Sequence, residues 1–373
     1  HSSSQQAGDS AGRDYFPDRS QTGMPVCGQM PVRYGSLQSA AKDTGSIPRS
    51  FRGLLPGQGT GVNELGKTIE REELFLKEIL DLSCDTYGCG YLHDLEYKRT
   101  SAFRKGTGIS TLRRSLKMQY LFPSPVGKVS RGPYPIVVFV SGGAWRTPQV
   151  HFRIPFLVPL ARRGFLVAMP DYRGCELFAC KDAVSDVRSA VRYMRTHAAE
   201  YEGDPNRIFL MGESAGAHLS LLAAYGDGRF DDENDDSSVS AQVSGVIELY
   251  GPTDCAGEVE RHAFDEELDE GALASVCTRL AECKDRSKLP DQLKFISPVH
   301  YLEKGAAQPP AFIAHGEEDK MVPIWHAETL YEALTAAAIP AEYCRLQHAG
   351  HGNWRFYGDE MMDRYAAFMR KTI

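Results

Sequence analysis

The sequence predicts an α/β fold: a mostly parallel central sheet with helices on both faces and an inserted cap. Two observations carry this. Short continuous apolar runs recur at residues 136–140, 165–169, 208–211, 243–249 and 311–314, as strands buried on both faces should, and residues 342–346 complete the series. Helical patterns lie between them. Val184, Val187, Val191, Met194 and Ala198 fall at three- and four-residue steps on one helix face, which Asp182 opens. Pro323 stands at the first turn of another, with Ile324, Ala327, Leu330, Tyr331 and Leu334 on its face. Strand and helix in alternation imply parallel strands joined by right-handed crossovers. Residues 253–293 break the rhythm and are read as the cap.

Ahead of that alternation the pattern differs. Residues 95–98 and 115–121 read as an opening pair of strands, ended by Pro123 and Pro125. Residues 1–66, rich in Ser, Gly, Gln and Pro, read as an irregular and partly disordered leader. In residues 67–94 an amphipathic helix is expected over 67–82, where Ile69, Leu74, Phe75, Leu76, Ile79 and Leu80 sit among acidic residues. It would pack on the body or cover the site. The catalytic domain is then 95–373. There is no internal repeat.

Composition narrows the function. A formal net charge of −7 leaves no basic face for nucleic acid, and the densest charge run, Asp231-Asp232-Glu233-Asn234-Asp235-Asp236, reads as a solvated loop. No stretch approaches the 18 or so apolar residues of a membrane span. The chain begins at His1 rather than Met, so an upstream segment, a signal peptide or anchor among the options, is expected to have been removed or left out. Nine cysteines include three close pairs, Cys84/Cys89, Cys175/Cys180 and Cys277/Cys283, in or beside expected loops. Short-range disulfides there would suit an oxidising, secreted or lumenal compartment, with a cytoplasmic one as the alternative. With nine, one is left over within a single chain. The spacings are not the two-residue gaps of most structural zinc sites, and no metal is expected.

The chemistry is concentrated in three places. Gly212-Glu213-Ser214-Ala215-Gly216 falls between an expected strand and an apolar helix starting near His218, the placement of a nucleophile elbow. A serine hydroxyl there needs a neighbouring base to take its proton. His315-Gly316-Glu317-Glu318-Asp319 follows a later strand and puts Asp319 in the loop, with Glu317 and Glu318 as competitors. Beyond the last strand, His348-Ala349-Gly350-His351-Gly352 offers His351, flanked by glycines that let the loop turn its ring, with His348 as competitor. The order Ser, acid, His is the one expected on such a sheet. Finally, Ser141-Gly142-Gly143-Ala144-Trp145 follows the strand 136–140. Its small residues would aim the N–H groups of Gly143 and Ala144 at an oxyanion, with Ala215 completing the hole.

These motifs resemble the hormone-sensitive-lipase-like esterase/lipase branch of the α/β-hydrolase fold. Within it they are most similar to feruloyl-esterase-like carboxylesterases and isoprenylcysteine methylesterases. The similarity runs from about Leu95 to the C-terminus and includes Asp171-Tyr172-Arg173, residues 203–208 and Tyr250-Gly251-Pro252-Thr253-Asp254. The resemblance implies Ser214 as nucleophile, His351 as general base and then acid, and Asp319 as the group orienting it. It also implies ester cleavage through an acyl-enzyme with no metal or organic cofactor. One departure stands out: Ser141 occupies a position where the family usually has histidine.

The resulting expectation is a carboxylesterase for a small or medium ester, with Trp145 and Tyr250 as candidate pocket walls. An acyltransferase on the same triad, with an alcohol replacing water, shares every one of these residues. Peptidase action is disfavoured by Ala215-Gly216-Ala217 after the serine. A silent binding module on the same scaffold would usually have lost the serine or the histidine. Oligomeric state is not legible.

Overall fold

The computed structural model describes residues 61–62, 68–69, 86–103, 111–126, 129, 131–262 and 272–372. The chain divides into two compact units, His1–Leu80 and Asp81–Ile373. In the first, strand β1 (Gly61–Val62) pairs antiparallel with β2 (Thr68–Ile69). The rest of the leader, and all of the helix expected over 67–82 except those two strand residues, lie outside the described residues.

The second unit is built on eight strands. A long antiparallel ribbon, β3 (Thr86–Phe103) with β4 (Thr111–Val126), forms one edge. Next come β6 (Leu166–Pro170), antiparallel to β4, then β5 (Tyr134–Val140), β7 (Gly203–Glu213), β8 (Gly245–Leu249), β9 (Ala311–Gly316) and β10 (Ala341–Leu346). From β6 to β10 every neighbouring pair is parallel. This mostly parallel sheet, with helices on both faces, is the α/β-hydrolase fold. The ribbon is longer than the sequence suggests, and β4 runs on through Pro123 and Pro125 to Val126. Pairing with β6 stops at Leu121, so beyond it that edge of β4 has no ladder for a missing N–H to break.

Period-two alternation divides the core into two layers. Ile136, Val138 and Val140 of β5, Ile208 and Leu210 of β7, Val246 of β8, and Ala311 and Ile313 of β9 face one layer. There they meet α2 (Cys180–His197), α3 (Ala215–Tyr225) and α7 (Trp325–Ala336). Val137, Phe139, Phe209, Met211, Ile247, Leu249, Phe312 and Ala314 face the other, against α1 (Ile154–Ala161) and α8 (Asp359–Lys371). Each fully buried Val, Leu, Ile, Phe or Met among them contributes about 1.5–3 kcal/mol, so a strand slipped by one residue would exchange the two faces at great cost. That alternation also decides which way the polar residues of β8 and β9 point.

Helix α2 begins near the expected residue: Asp182 accepts the N–H of Ala179 at 3.1 Å and closes its first turn. The cap region holds α4 (Cys255–Arg261), α5 (Leu273–Leu280) and α6 (Leu289–Phe295), while residues 263–271 lie outside the described residues.

Two sequence readings need correction. The acidic run is more than a solvated loop: Asp231 pairs with Arg188 (2.5 Å) and Arg192 (2.7 Å), Asp232 with Lys98 (2.7 Å) and Asp235 with Arg192 (3.2 Å). Arg188 and Arg192 are buried on α2, and buried charges demand partners. The proposed staples Cys175/Cys180 and Cys277/Cys283 are not formed. Cys180, Cys277 and Cys283 are free thiols; Cys84, and with it the Cys84/Cys89 pairing, lies outside the described residues. Cys277 is turned into the core, whereas Cys283, past the end of α5, donates to the carbonyl of Asp285 at 2.9 Å. Two side chains directed apart cannot meet disulfide geometry.

Candidate active site

The site stands at the C-terminal edge of the parallel strands, where α/β sheets bind their ligands. Ser214 leaves β7 with φ 51° and ψ −125°, an unfavourable backbone for a residue with a side chain, and immediately starts α3. The turn is tight because its flanks are glycine. A Cβ on Gly216 would strike the carbonyl of Val140, and one on Gly212 the carbonyl of Gly216. The Ser214 N–H donates to Leu249 across the strand ends at 2.8 Å.

The structure brings Ser214, His351 and Asp319 together. Ser214 Oγ lies 2.9 Å from His351 Nε2, and His351 Nδ1 lies 2.7 Å from Asp319 Oδ2. An ionised Asp319 makes Nδ1 the donor and leaves Nε2 to accept from the hydroxyl. The other oxygen of Asp319 accepts the N–H groups of Met321 (2.9 Å) and Val322 (3.0 Å). Burial alone would raise the pKa of this carboxyl. Bonds from His315, His351 and the Val322 N–H outweigh it and hold the group well below the usual carboxylate range. The competitors lie outside. Glu318 and His348 pair with each other at 3.1 Å on the surface, and Glu317 pairs with Arg345 at 3.3 Å.

The loop after β5 runs beside Ser214. A Cβ on Gly142 would come within 3.1 Å of Ser214 Cβ, while one on Gly143 would meet nothing within 4 Å. Gly143 (φ 125°) and Ala144 (φ 54°) are exposed, and both take positive φ. Trp145, also at positive φ, turns inward. It is 4% exposed and donates from Nε1 to His218 Nδ1 at 3.0 Å. That bond fixes the tautomer: His218 Nε2–H donates to the carbonyl of Ile296 at 2.7 Å, and burial lowers its pKa to about 4. Tyr250 is equally enclosed, its ring edge-on to His351 with centroids 5.0 Å apart. Both aromatics brace the loops, with little surface left for a substrate.

Glu213 escaped the sequence reading. It is 1% exposed, directly before the serine, and its two oxygens collect four donors. Oε1 takes the Gly142 N–H at 3.3 Å and Arg153 Nε at 2.5 Å. Oε2 takes the hydroxyls of Tyr250, at 2.7 Å, and Tyr357. The loop after β5, the turn at Ser214, the β8 tip and the segment after His351 are thereby tied to one carboxylate. The available signal was an acidic residue ending an otherwise apolar strand.

Among the described residues, no cluster of three or more His, Cys, Asp or Glu could hold a metal ion, and no helix is long and apolar enough to cross a membrane.

Comparison with known proteins fits this geometry. Residues 126–334, more than half of the chain, match the family model BD-FAE. A probable isoprenylcysteine alpha-carbonyl methylesterase of Arabidopsis thaliana is 29% identical over 214 residues, covering 57% of this chain and 50% of the relative. The esterase LipC of Mycobacterium tuberculosis is 29% identical over 229 residues, covering 59% and 53%. The chain thus spans about half the length of these relatives. A thermophilic esterase, Est2, of Thermogutta terrifontis superposes with a TM-score of 0.54 at 25% identity, covering 76% of this chain and 90% of that one. With its family model spanning the loops after β5, β7 and β9 of an α/β-hydrolase sheet, the chain belongs to the BD-FAE family.

Proposed function

We propose that the protein is a serine carboxylesterase that cleaves a small or medium carboxylic ester through an acyl-enzyme. The observation that carries the reading is the connected line Ser214 Oγ, His351 Nε2, His351 Nδ1 and Asp319 Oδ2, at 2.9 and 2.7 Å, on a strained elbow. The names of the relatives, esterases and a methylesterase, support the same reaction class.

The steps follow from the geometry. Ser214 Oγ attacks the ester carbonyl carbon as its proton passes to His351 Nε2. The carbonyl oxygen becomes an oxyanion beside the N–H groups of Gly143, Ala144 and Ala215. Each donor to such a charge is worth about 2.7–4 kcal/mol, because it is already aimed. As the intermediate collapses, the C–O bond to the alcohol breaks and His351 returns the proton to the leaving oxygen. Water then repeats the sequence on the acyl-enzyme and frees Ser214. Asp319 stays ionised throughout, which keeps His351 in the tautomer that can accept from Ser214.

Hydrolysis of p-nitrophenyl esters from acetate to palmitate, wild type beside Ser214→Ala, tests this. A preference for two to four carbons, lost by at least about a thousandfold in the variant, is the expected result. Turnover that survives Ser214→Ala would overturn it.

A further inference from the structure

The triad acts on the ester link, which every ester shares; recognition of the leaving alcohol needs other side chains. Chemistry sets where they must be. His351 returns its proton to the leaving oxygen, so that oxygen lies within hydrogen-bond reach of Nε2. The alcohol then extends past the loop that carries the ring. Trp145 and Tyr250, both turned inward, offer it almost no surface. Two other aromatics do: Phe152 is 63% exposed and Trp354 is 68% exposed.

Topology brings these two together at the edge of the sheet where Ser214 stands. β5 and β6 are parallel, so α1, between them, starts where β5 finishes. Phe152 lies in the 3₁₀ turn Val150–Arg153 just ahead of α1. Trp354 opens the 3₁₀ turn Trp354–Tyr357, after β10 and three residues past His351, and α8 follows it. A 3₁₀ turn takes three residues, which puts Trp354 on the face that carries Tyr357. Phe152 precedes Phe156 by one helical turn. The rings of Phe156 and Tyr357 meet with centroids 5.1 Å apart. Farther along, Arg163, past the end of α1, pairs with Asp359 (3.0 Å) and Asp363 (2.7 Å) of α8. The two elements thus run side by side in one direction, with Phe152 and Trp354 at their matching first turns.

Both turns are anchored beside the nucleophile. Arg153, next to Phe152, bonds one oxygen of Glu213, and the Tyr357 hydroxyl bonds the other. Single exposed apolar side chains are ordinary on a protein surface. Two aromatics at the matching ends of neighbouring elements, on the side where the alcohol must leave, are not accounted for by the core.

We propose that Phe152 and Trp354 clamp the leaving alcohol, and that esters of aromatic or other bulky apolar alcohols are the substrate class. This deepens the esterase reading and rests on His351 being the base. The clamp touches a part of the substrate that does not react. It binds ground state and transition state alike, so its loss raises KM and leaves kcat nearly unchanged.

Two isomers test the assignment, because benzyl acetate and methyl phenylacetate carry the same ring on opposite sides of the ester. Methyl acetate is the reference without a ring, and acid release is followed by titration. Phe152→Ala and Trp354→Ala are each expected to lower kcat/KM for benzyl acetate about fivefold, through KM. For methyl phenylacetate and methyl acetate the change should stay below about twofold, and Trp354→Phe should retain most of the benzyl acetate value. Melting temperatures should match wild type, since both side chains are exposed. Equal losses on the two isomers, or an unchanged benzyl acetate value, in either alanine variant would overturn the proposal. Turnover of methyl acetate that survives Ser214→Ala would instead strike the triad reading itself, and the clamp would fall with it.

Discussion

Glu213 and Glu248 end or nearly end neighbouring parallel strands, and both are buried to within 1% of completely. Their surroundings differ. Glu213 lies between an arginine, two tyrosine hydroxyls and a backbone N–H, so every part of its charge is answered. Glu248 receives one backbone N–H on one oxygen, and its other oxygen has no partner. The number of donors, not the depth of burial, separates a fixed ionic tie from a group poised to hold a proton. The first joins the loops around Ser214; the second meets only the turn at Gly251.

The largest effect should come from cutting the tie. Glu213→Ala leaves Arg153 and two hydroxyls without their shared partner, an expected loss of about 3–5 kcal/mol. Chemical denaturation would measure it. Oxyanion-loop support goes with it, so kcat should fall in whatever fraction folds. If Glu213→Ala melts like wild type, the carboxylate is not the organising centre inferred here.

Next in size is Tyr357→Phe, which removes one of the four donors and nothing else from Glu213. About 0.5–1.5 kcal/mol is expected, with the ester-cleaving geometry retained. A loss as large as that of Glu213→Ala would show that Tyr357 holds its segment by other means.

A pH-dependent difference follows for Glu248. Its folded pKa, about 7, is above its ordinary value of 4.5, so its stabilisation is whole below 4.5 and is lost as pH rises towards 7. Relative to Glu248→Gln, wild type should therefore weaken by up to about 1.4 kcal/mol per pH unit over that window and change little beyond it. His218 acts with opposite sign. Held neutral with a pKa of about 4, it costs stability as pH falls below 6.5, where the unfolded ring gains a proton. Because His218 is common to both proteins, the difference between their stability curves isolates Glu248. A difference independent of pH would mean that Glu248 is ionised in the fold.

The smallest change marks the boundary of the site. Glu318→Ala and His348→Ala break only an exposed pair and should shift stability by no more than about 0.5 kcal/mol, with kcat/KM unaltered.

What the sequence made legible was whatever depends on local pattern. Continuous apolar runs located the parallel strands, and glycines around Ser214 and His351 marked the turns. Glu213 and Glu248 were not legible, because a single acidic letter in an apolar strand says nothing of what the other strands bring to it. Trp145 and Tyr250 read as pocket walls by sequence position, yet partners distant in sequence, His218 and Glu213, draw them inward. The cysteines failed for a related reason. Closeness in sequence suggested staples, whereas Cys277 is buried on α5 and Cys283, beyond the end of that helix, bonds the Asp285 carbonyl.

The most direct test of the central claim is covalent. The protein would be treated with a fluorophosphonate, digested, and the modified residue located by mass spectrometry. Stoichiometric labelling confined to Ser214, abolished in Ser214→Ala and slowed strongly in His351→Ala, is the expected result. Labelling at another residue, or labelling that persists in Ser214→Ala, would contradict the assignment of Ser214 as the nucleophile.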